Sequence, residues 1–397
     1  MRQSVFPAAM LLAGSASAAT RLYVTSYAGT VTTLDLTTPK RFGLAPKLET
    51  IASTTACGAQ PSWLDLDYSK NLLYCLDEAW GQPNGAVTSF HTNADGSLTP
   101  IAEADLVAGP VSIADFGVAG SGLAIASYAG GGVNVVGLTP DGGVTLLQNE
   151  TYKLEKPGTI PDRQEGPHPH QALLDPTGSF VLVPDLGADL VRVYKADATT
   201  LKLTAQAPLA VAPGAGPRHG AFKTVRDKTY YYLVTELANT IIGYEVHYYQ
   251  NKTLGFTEIF TIPMHGDNRP LPSTAAAAEI AITPDQRFLI ISSRWEGTLK
   301  IPNFDRANKT EIASDPLINY AIDSRTGRLT KIQEFPAGGS GPRGFSINAA
   351  GDLLAVGLQR DGRVVLIRRD VRTGLLTNFV ASANVAGEVN HAVFYEK

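Results

Sequence analysis

The sequence predicts an all-β fold, a seven-bladed β-propeller, on three observations. One pattern recurs: a Pro- or Ala-led opening, a short apolar run, a turn, and a second apolar run. Its openings fall at Pro61, Pro110, Pro169, Pro217, Ala278, Pro342 and Asn390, at intervals of 49, 59, 48, 61, 64 and 48 residues. Four-stranded units of about 40–50 residues, some with loop insertions, have the period of propeller blades. The runs alternate, carry β-branched residues and end in short turns, which marks antiparallel strands rather than helices. The chain ends also complement each other. Asn390-His-Ala-Val-Phe394 reads as a first strand with nothing after it, and Arg21-Leu-Tyr-Val-Thr-Ser-Tyr27 as a second strand with nothing before it. Together they complete one blade, closing the ring and removing an exposed sheet edge.

Within a unit the elements follow in order. Trp63–Asp67 is a first strand, Leu72–Leu76 a second, Ala86–His91 a third, and Leu98–Ile101 a fourth. Third-to-fourth turns recur at Asp95-Gly96, Asp141-Gly142, Thr326-Gly327 and Thr373-Gly374, where glycine supplies the backbone freedom of a tight hairpin. The 38 glycines and 25 prolines among 397 residues suit such a turn-rich chain, and 44% apolar content suffices for a large core. A net charge of −4 gives no field for nucleic acid or an anionic membrane. Past the N-terminus no run of 18 apolar residues predicts a membrane span.

Residues 1–19 read as a signal peptide, leaving 20–397 as a single propeller domain. Arg2 is a minimal positive region, Val5–Leu12 an apolar stretch, and Ala16-Ser-Ala18 a small-residue cleavage site. Sequons at Asn149, Asn251 and Asn308 agree with a secreted, extracellular protein. Export invites a disulfide between Cys57 and Cys75, but spacing argues for two separate thiols. With a hairpin at Tyr68–Asn71, Cys75 lies opposite Leu64, and the seven extended residues back to Cys57 span roughly 23 Å.

First strands line the central channel of a propeller, so the residue after each opening is aimed near its mouth. Round the ring these are Ser62, Val111, His170, Arg218, Glu279, Arg343 and His391. The ends of the second strands add Glu78, Tyr128, Asp185, Glu236, Arg294 and Gln359. Asp185 and Asp189 read as turn residues capping backbone amides. His168 reads as a support for the loop, and His265 and Asp267 as parts of a lid in a Gly/Pro-rich insertion. No nucleophile elbow, Walker loop or HExxH zinc motif is present, and the arginines disfavour a cation at the centre. No metal and no cofactor are expected, and the sequence is silent on oligomeric state.

The run His168–Tyr194, with Gly216-Pro-Arg-His-Gly220, Ala278–Asp285 and Gly341-Pro-Arg-Gly-Phe345, resembles the seven-bladed lactonase family. That family includes propeller-type 6-phosphogluconolactonases and fungal 3-carboxy-cis,cis-muconate cyclases. The resemblance covers the chain after the signal segment. It implies an enzyme acting on an anionic lactone or its open-chain dicarboxylate, with His170, Glu236, Arg218 and Arg294 as catalytic groups. Arg343, His219, Glu279 and His391 would line the substrate site. Hydrolysis would use His170 or Glu236 to activate water; cyclisation would need only a proton delivered or removed at carbon. The competing class is a non-catalytic binding module or surface antigen, for which aromatic stripes at the mouth are expected. The mouth is expected to carry few aromatics and many paired ionisable groups, which favours the enzyme.

Overall fold

The computed structural model describes residues 20–38, 45–250 and 252–396. Among them every regular element is a β-strand, so no helix is long and apolar enough to cross a membrane. The described strands form seven blade sheets round a ring and one separate two-stranded sheet, all antiparallel. Blade 1 is Pro61–Asp67, Leu72–Asp77, Asn84–Thr92 and Leu98–Val107, and blade 2 is Pro110–Phe116, Gly122–Ser127, Gly132–Leu138 and Val144–Thr151. Blade 3 has a reduced first strand, Leu173–Leu174, preceded by an isolated bridge between Pro169 and Asp185. Blade 4 opens at Pro217 and blade 6 at Pro342. Blade 5 opens at Ala276 and carries an inserted hairpin, Leu299–Pro302 with Glu311–Ser314. Blade 7 joins the chain ends: Val389–Tyr395 pairs with Thr20–Ser26, Arg21 opposite Tyr395 and Thr25 opposite His391.

Burial explains the apolar runs. Second strands such as Leu72–Leu76 and Phe180–Asp185 are buried at every position, because each blade packs a neighbour on both faces. Fourth strands such as Leu98–Val107 alternate, one face toward solvent. Between blades 4 and 5, Tyr232, Val234 and Ile241 meet Leu289, Ile291 and Ile318, all fully buried. Each such side chain contributes about 1.5–3 kcal/mol of transfer free energy, so adhesion between blades, repeated round the ring, holds it shut.

The openings carry the feature that builds a site. The ladder slips by one residue between Pro61 and Trp63, Pro110 and Ser112, Pro217 and His219, and Pro342 and Gly344. The skipped residues, Ser62, Val111, Arg218 and Arg343, are β-bulges, which re-aim a side chain out of the ladder. Two openings start earlier than the sequence suggests. Blade 5 begins two residues before Ala278, but a longer bulge still delivers Glu279 to the channel. Blade 7 begins at Val389, so its bulge residue is Asn390; His391 sits one step deeper, where its imidazole stacks on Trp63 with centroids 3.9 Å apart.

The cysteines correct the spacing argument. Leu64 does lie opposite Cys75, yet Cys57 and Cys75 form a disulfide with Cα atoms 5.9 Å apart. The intervening chain is not extended. Gly58, at φ +115°, closes a turn whose amide donates to the Thr55 carbonyl. The Asp77 carboxylate then accepts from the amides of Ala59 (3.2 Å) and Gln60 (2.8 Å), drawing the loop across the end of the strand that holds Cys75. The bond closes an 18-residue separation, for which the loop-entropy relation gives about 3 kcal/mol. Cys57→Ser/Cys75→Ser is therefore expected to lose about 2–4 kcal/mol in urea unfolding; an unchanged midpoint would count against the bond as a stabilising element.

Candidate functional site

The bulge residues converge on a narrow throat in which only about 10 Å³ is open. Ser62, Trp63, His170, Arg218, His219, Glu279, Arg343 and Asn390 are among its walls. A cavity of about 320 Å³ shares Val111, His170 and Arg343 with the throat and is completed by Glu78, Trp80, Tyr128, Arg163, Glu236, Thr274, Ala276, Arg294 and Trp295. An adjoining compartment of about 480 Å³ shares Arg163, Glu236, Thr274, Ala276 and Trp295 with that cavity and adds Ile160, Leu237 and Arg360. The two together form a cleft leading down to the throat.

Glu236 is the electrostatic centre of the cleft. Its Oε1 accepts from Arg163 Nη2 at 2.7 Å, and its Oε2 lies 2.8 Å from Arg218 Nε and 2.9 Å from Arg294 Nη2. Burial works against its charge, but Arg294, Arg218 and Arg163 overcome that and hold its pKa at about 2. Burial, then Arg294, pushes Arg218 down to about 9, where it remains cationic at neutral pH. Arg343 is held above its usual range against the cost of burial by Tyr27 and Glu78, with Glu78 Oε2 3.6 Å from its Nη2. Tyr27 also hydrogen-bonds Glu78 and offers its ring to the Arg343 guanidinium at 5.6 Å. Across cavity and throat the guanidiniums of Arg163, Arg218, Arg294 and Arg343 thus face the carboxylates of Glu78, Glu236 and Glu279, leaving an excess of positive charge.

His170 follows Pro169 in irregular backbone, its amide donating to the Pro184 carbonyl. Its Nδ1 lies 3.2 Å from His219 Nε2, and His219 Nδ1 lies 2.9 Å from Glu279 Oε1. Nε2 of His170 has no hydrogen-bond partner among the described residues, and His170 lines the 320 Å³ cavity. Burial first, then Arg218 and His219, holds the His170 pKa well below the ordinary histidine value. His219 is likewise lowered by burial, with Arg218 adding to it.

The structure thus brings His170, Glu236, Arg294 and Arg343 to the cavity, with Arg218, His219 and Glu279 in the throat beneath. His391 is behind Trp63, lines neither space, and is lowered to about 4 by burial. Asp185 is a tie: it accepts from the amides of His168 and Ala188 and pairs with Arg192 at 2.7 Å. Asp189 accepts from the amides of Gly214 and Gly216. His168 stacks on Tyr128 at 4.2 Å and meets its carbonyl at 2.9 Å, fixing that cavity wall. Gln359 bonds Glu388 instead of facing the cleft. His265 and Asp267 form no lid. His265 is buried between Glu296 and Glu334, and Asp267 pairs with Arg269 and Lys331. Among the described residues no group of three or more His, Cys, Asp or Glu side chains is placed to hold a metal ion.

Sequence reasoning missed Arg163 and the aromatic rim. Arg163 lies in the insertion that lengthens the interval from Pro110 to Pro169 to 59 residues, and that length was its only signal. The mouth is not poor in aromatics: Trp80, Tyr128 and Trp295 line it, Trp80 at 60% exposure. Both tryptophans sit in loops just past second strands, outside the repeating ring positions.

The family described as "Lactonase, 7-bladed beta-propeller" matches residues 21–393. A probable 6-phosphogluconolactonase of Arthroderma benhamiae is 34% identical over 318 residues, 80% of this chain and 75% of that one. A 6-phosphogluconolactonase of Bacillus subtilis is 27% identical over 357 residues, 88% of this chain and 90% of the other. Among solved structures, the periplasmic gluconolactonase of Pseudomonas aeruginosa superposes with a TM-score of 0.77 at 22% identity, covering 96% of this chain and 99% of its own. A putative 6-phosphogluconolactonase of Bacteroides fragilis gives the same TM-score, identity and coverage. At that identity the structural likeness speaks for the fold.

Proposed function

The chain belongs to the seven-bladed β-propeller lactonase family, and on that premise we propose that it hydrolyses the ring ester of an anionic aldonolactone, 6-phosphogluconolactone being the first candidate. One observation carries the reading: the unpartnered Nε2 of His170 shares a cavity with Arg294 and Arg343. A histidine kept neutral is ready to accept a proton. Glu236, pinned near 2 by three arginines, is a poor base and serves as the anchor that sets those guanidiniums.

In the proposed reaction, water adds its oxygen to the lactone carbonyl carbon as one of its protons passes to His170 Nε2. The carbonyl oxygen takes up the π electrons and is held by the Arg343 guanidinium, a fixed charge on a largely buried side chain. As the carbonyl re-forms, the ring C–O bond breaks, and the departing alkoxide recovers the proton from His170. The product is the open-chain hydroxy acid. Arg163, where the two compartments meet, and Arg294, in the wall of the 320 Å³ cavity, are placed to take the substrate's anionic group by charge-assisted hydrogen bonds. Export is part of the same proposal, supported by the Cys57–Cys75 disulfide and by exposed sequon residues Asn149 and Asn308. The signal segment and Asn251 lie outside the described residues.

The test is a panel of 6-phosphogluconolactone, glucono-1,5-lactone and 3-carboxy-cis,cis-muconate, with and without chelator. Hydrogen bonds to charged groups contribute about 1.5–3 kcal/mol, so kcat/KM is expected to be roughly 10–100-fold higher for the phosphorylated lactone. Equal turnover of the neutral lactone would refute the anionic preference. Turnover of the muconate alone would assign a cyclase, and inactivity on all three a binding module.

A further inference from the structure

Below the cavity, three buried side chains stand in line: His170, His219 and Glu279, from blades 3, 4 and 5. They are 7%, 2% and 6% exposed. We propose that His219 and Glu279 are positioning residues: a two-step hydrogen-bond relay that fixes His170 as its Nδ1–H tautomer, so that the lone pair on Nε2 is presented to the cavity.

The hydrogen bonds leave one consistent assignment. Glu279 Oε1 already accepts from the Ile280 amide at 2.9 Å, and an ionised carboxylate offers no proton. His219 must therefore donate from Nδ1. A neutral imidazole that donates at Nδ1 accepts at Nε2, so the proton in the 3.2 Å contact belongs to His170 Nδ1. Nε2 of His170 is then the acceptor, and it is the nitrogen with no partner. The surroundings agree. Burial raises the cost of the Glu279 charge, but His219 and Arg218 keep it ionised. Arg218 and Arg343, the other charged groups near His170, discourage its protonation at rest. The Trp63 ring, 5.9 Å from His219 and edge-on, packs against the relay from blade 1. When Nε2 takes a proton, the imidazolium forms at the head of a chain that ends in a carboxylate, and no further proton need move.

The catalytic consequence rests on the lactonase reading, but the relay itself does not. Glu279→Met is the informative variant. Methionine is of similar length but accepts no hydrogen bond, so the His219 Nδ1 proton loses its acceptor. The Nε2–H tautomer of His219 is then preferred, which donates to His170 Nδ1 and places the His170 proton on Nε2. We expect kcat to fall at least ~100-fold with KM within ~3-fold, the signature of a mis-set tautomer rather than of lost binding. Glu279→Asp should recover most of the rate. In a His170→Gln background Glu279→Met should cost no more than ~2-fold, because it acts through His170. Additive losses there, or a change confined to KM, would overturn the proposal. Independently of any substrate, ¹⁵N shifts of the histidine ring nitrogens should place the His170 proton on Nδ1 in the wild type and on Nε2 in Glu279→Met. An Nε2–H tautomer in the wild type sinks the relay even if the protein hydrolyses lactones, whereas an inactive protein with the Nδ1–H tautomer sinks only the lactonase reading.

Discussion

Glu236→Gln is expected to be the most damaging single substitution in the cleft, lowering both stability and activity. The carboxylate is 4% exposed and is shared by Arg163, Arg218 and Arg294, two of which are themselves buried. Glutamine fills the same volume but has one acceptor oxygen and no charge. Removing one partner of a buried ionic cluster strands the rest and costs about 3–5 kcal/mol. The pH dependence gives an internal control. The folded-state pKa of Glu236 is depressed from 4.5 to about 2, so its stabilisation is fully present above pH 4.5 and lost as pH falls toward 2. Chemical denaturation of the wild type should weaken through that window, and the Glu236→Gln curve should be flatter across it. A variant within about 1 kcal/mol of the wild type at pH 7, with the same acid slope, would remove Glu236 from its central role. With the arginines uncompensated, phosphate should stabilise the variant more than the wild type.

That cluster marks where sequence reading reached and where it stopped. Arg218, Glu236 and Arg294 were legible as positions because strand openings and ends repeat, and a repeat places its bulge residue at the channel each time. Their mutual arrangement was not legible. One carboxylate holding three guanidiniums is a tertiary fact, and it turns Glu236 from candidate base to anchor. Asn390 and His391 show how boundaries limit the reading. A one-residue error in a strand start exchanges one face for the other, so the ring position passed to the wrong residue. Arg163 belongs to an insertion with no counterpart in the other blades, and Trp80 and Trp295 to turns after second strands that recur in every blade but vary in residue from one to the next, so no repeat could register them. The disulfide was not legible because spacing assumes an extended path from Cys57 to Leu64, whereas Asp77 and the Gly58 turn fold the segment before Pro61 back.

His170→Gln is expected to lower kcat by about 10²–10⁴-fold with little change in KM, the range for losing a general base. Glutamine keeps a polar side chain next to His219, and His170 is not part of the arginine cluster, so Tm should change far less than in Glu236→Gln. The pH profile distinguishes this base from an ordinary histidine. Burial and Arg218 hold the folded-state pKa well below 6.5. The active form is deprotonated, so kcat/KM should stay level as pH falls from 8 through 6.5 and decline only in more acid solution. A limb centred at or above pH 6.5 that disappears in His170→Gln would mean that His170 titrates as a solvent-exposed imidazole and that burial does not set its proton affinity. Loss of the acid limb in Glu236→Gln but not in His170→Gln would move the base to Glu236, against the three guanidiniums that now hold it ionised. Because the two variants differ in stability and acid limb, the same set of measurements separates the group that moves the proton from the group that holds the arginines.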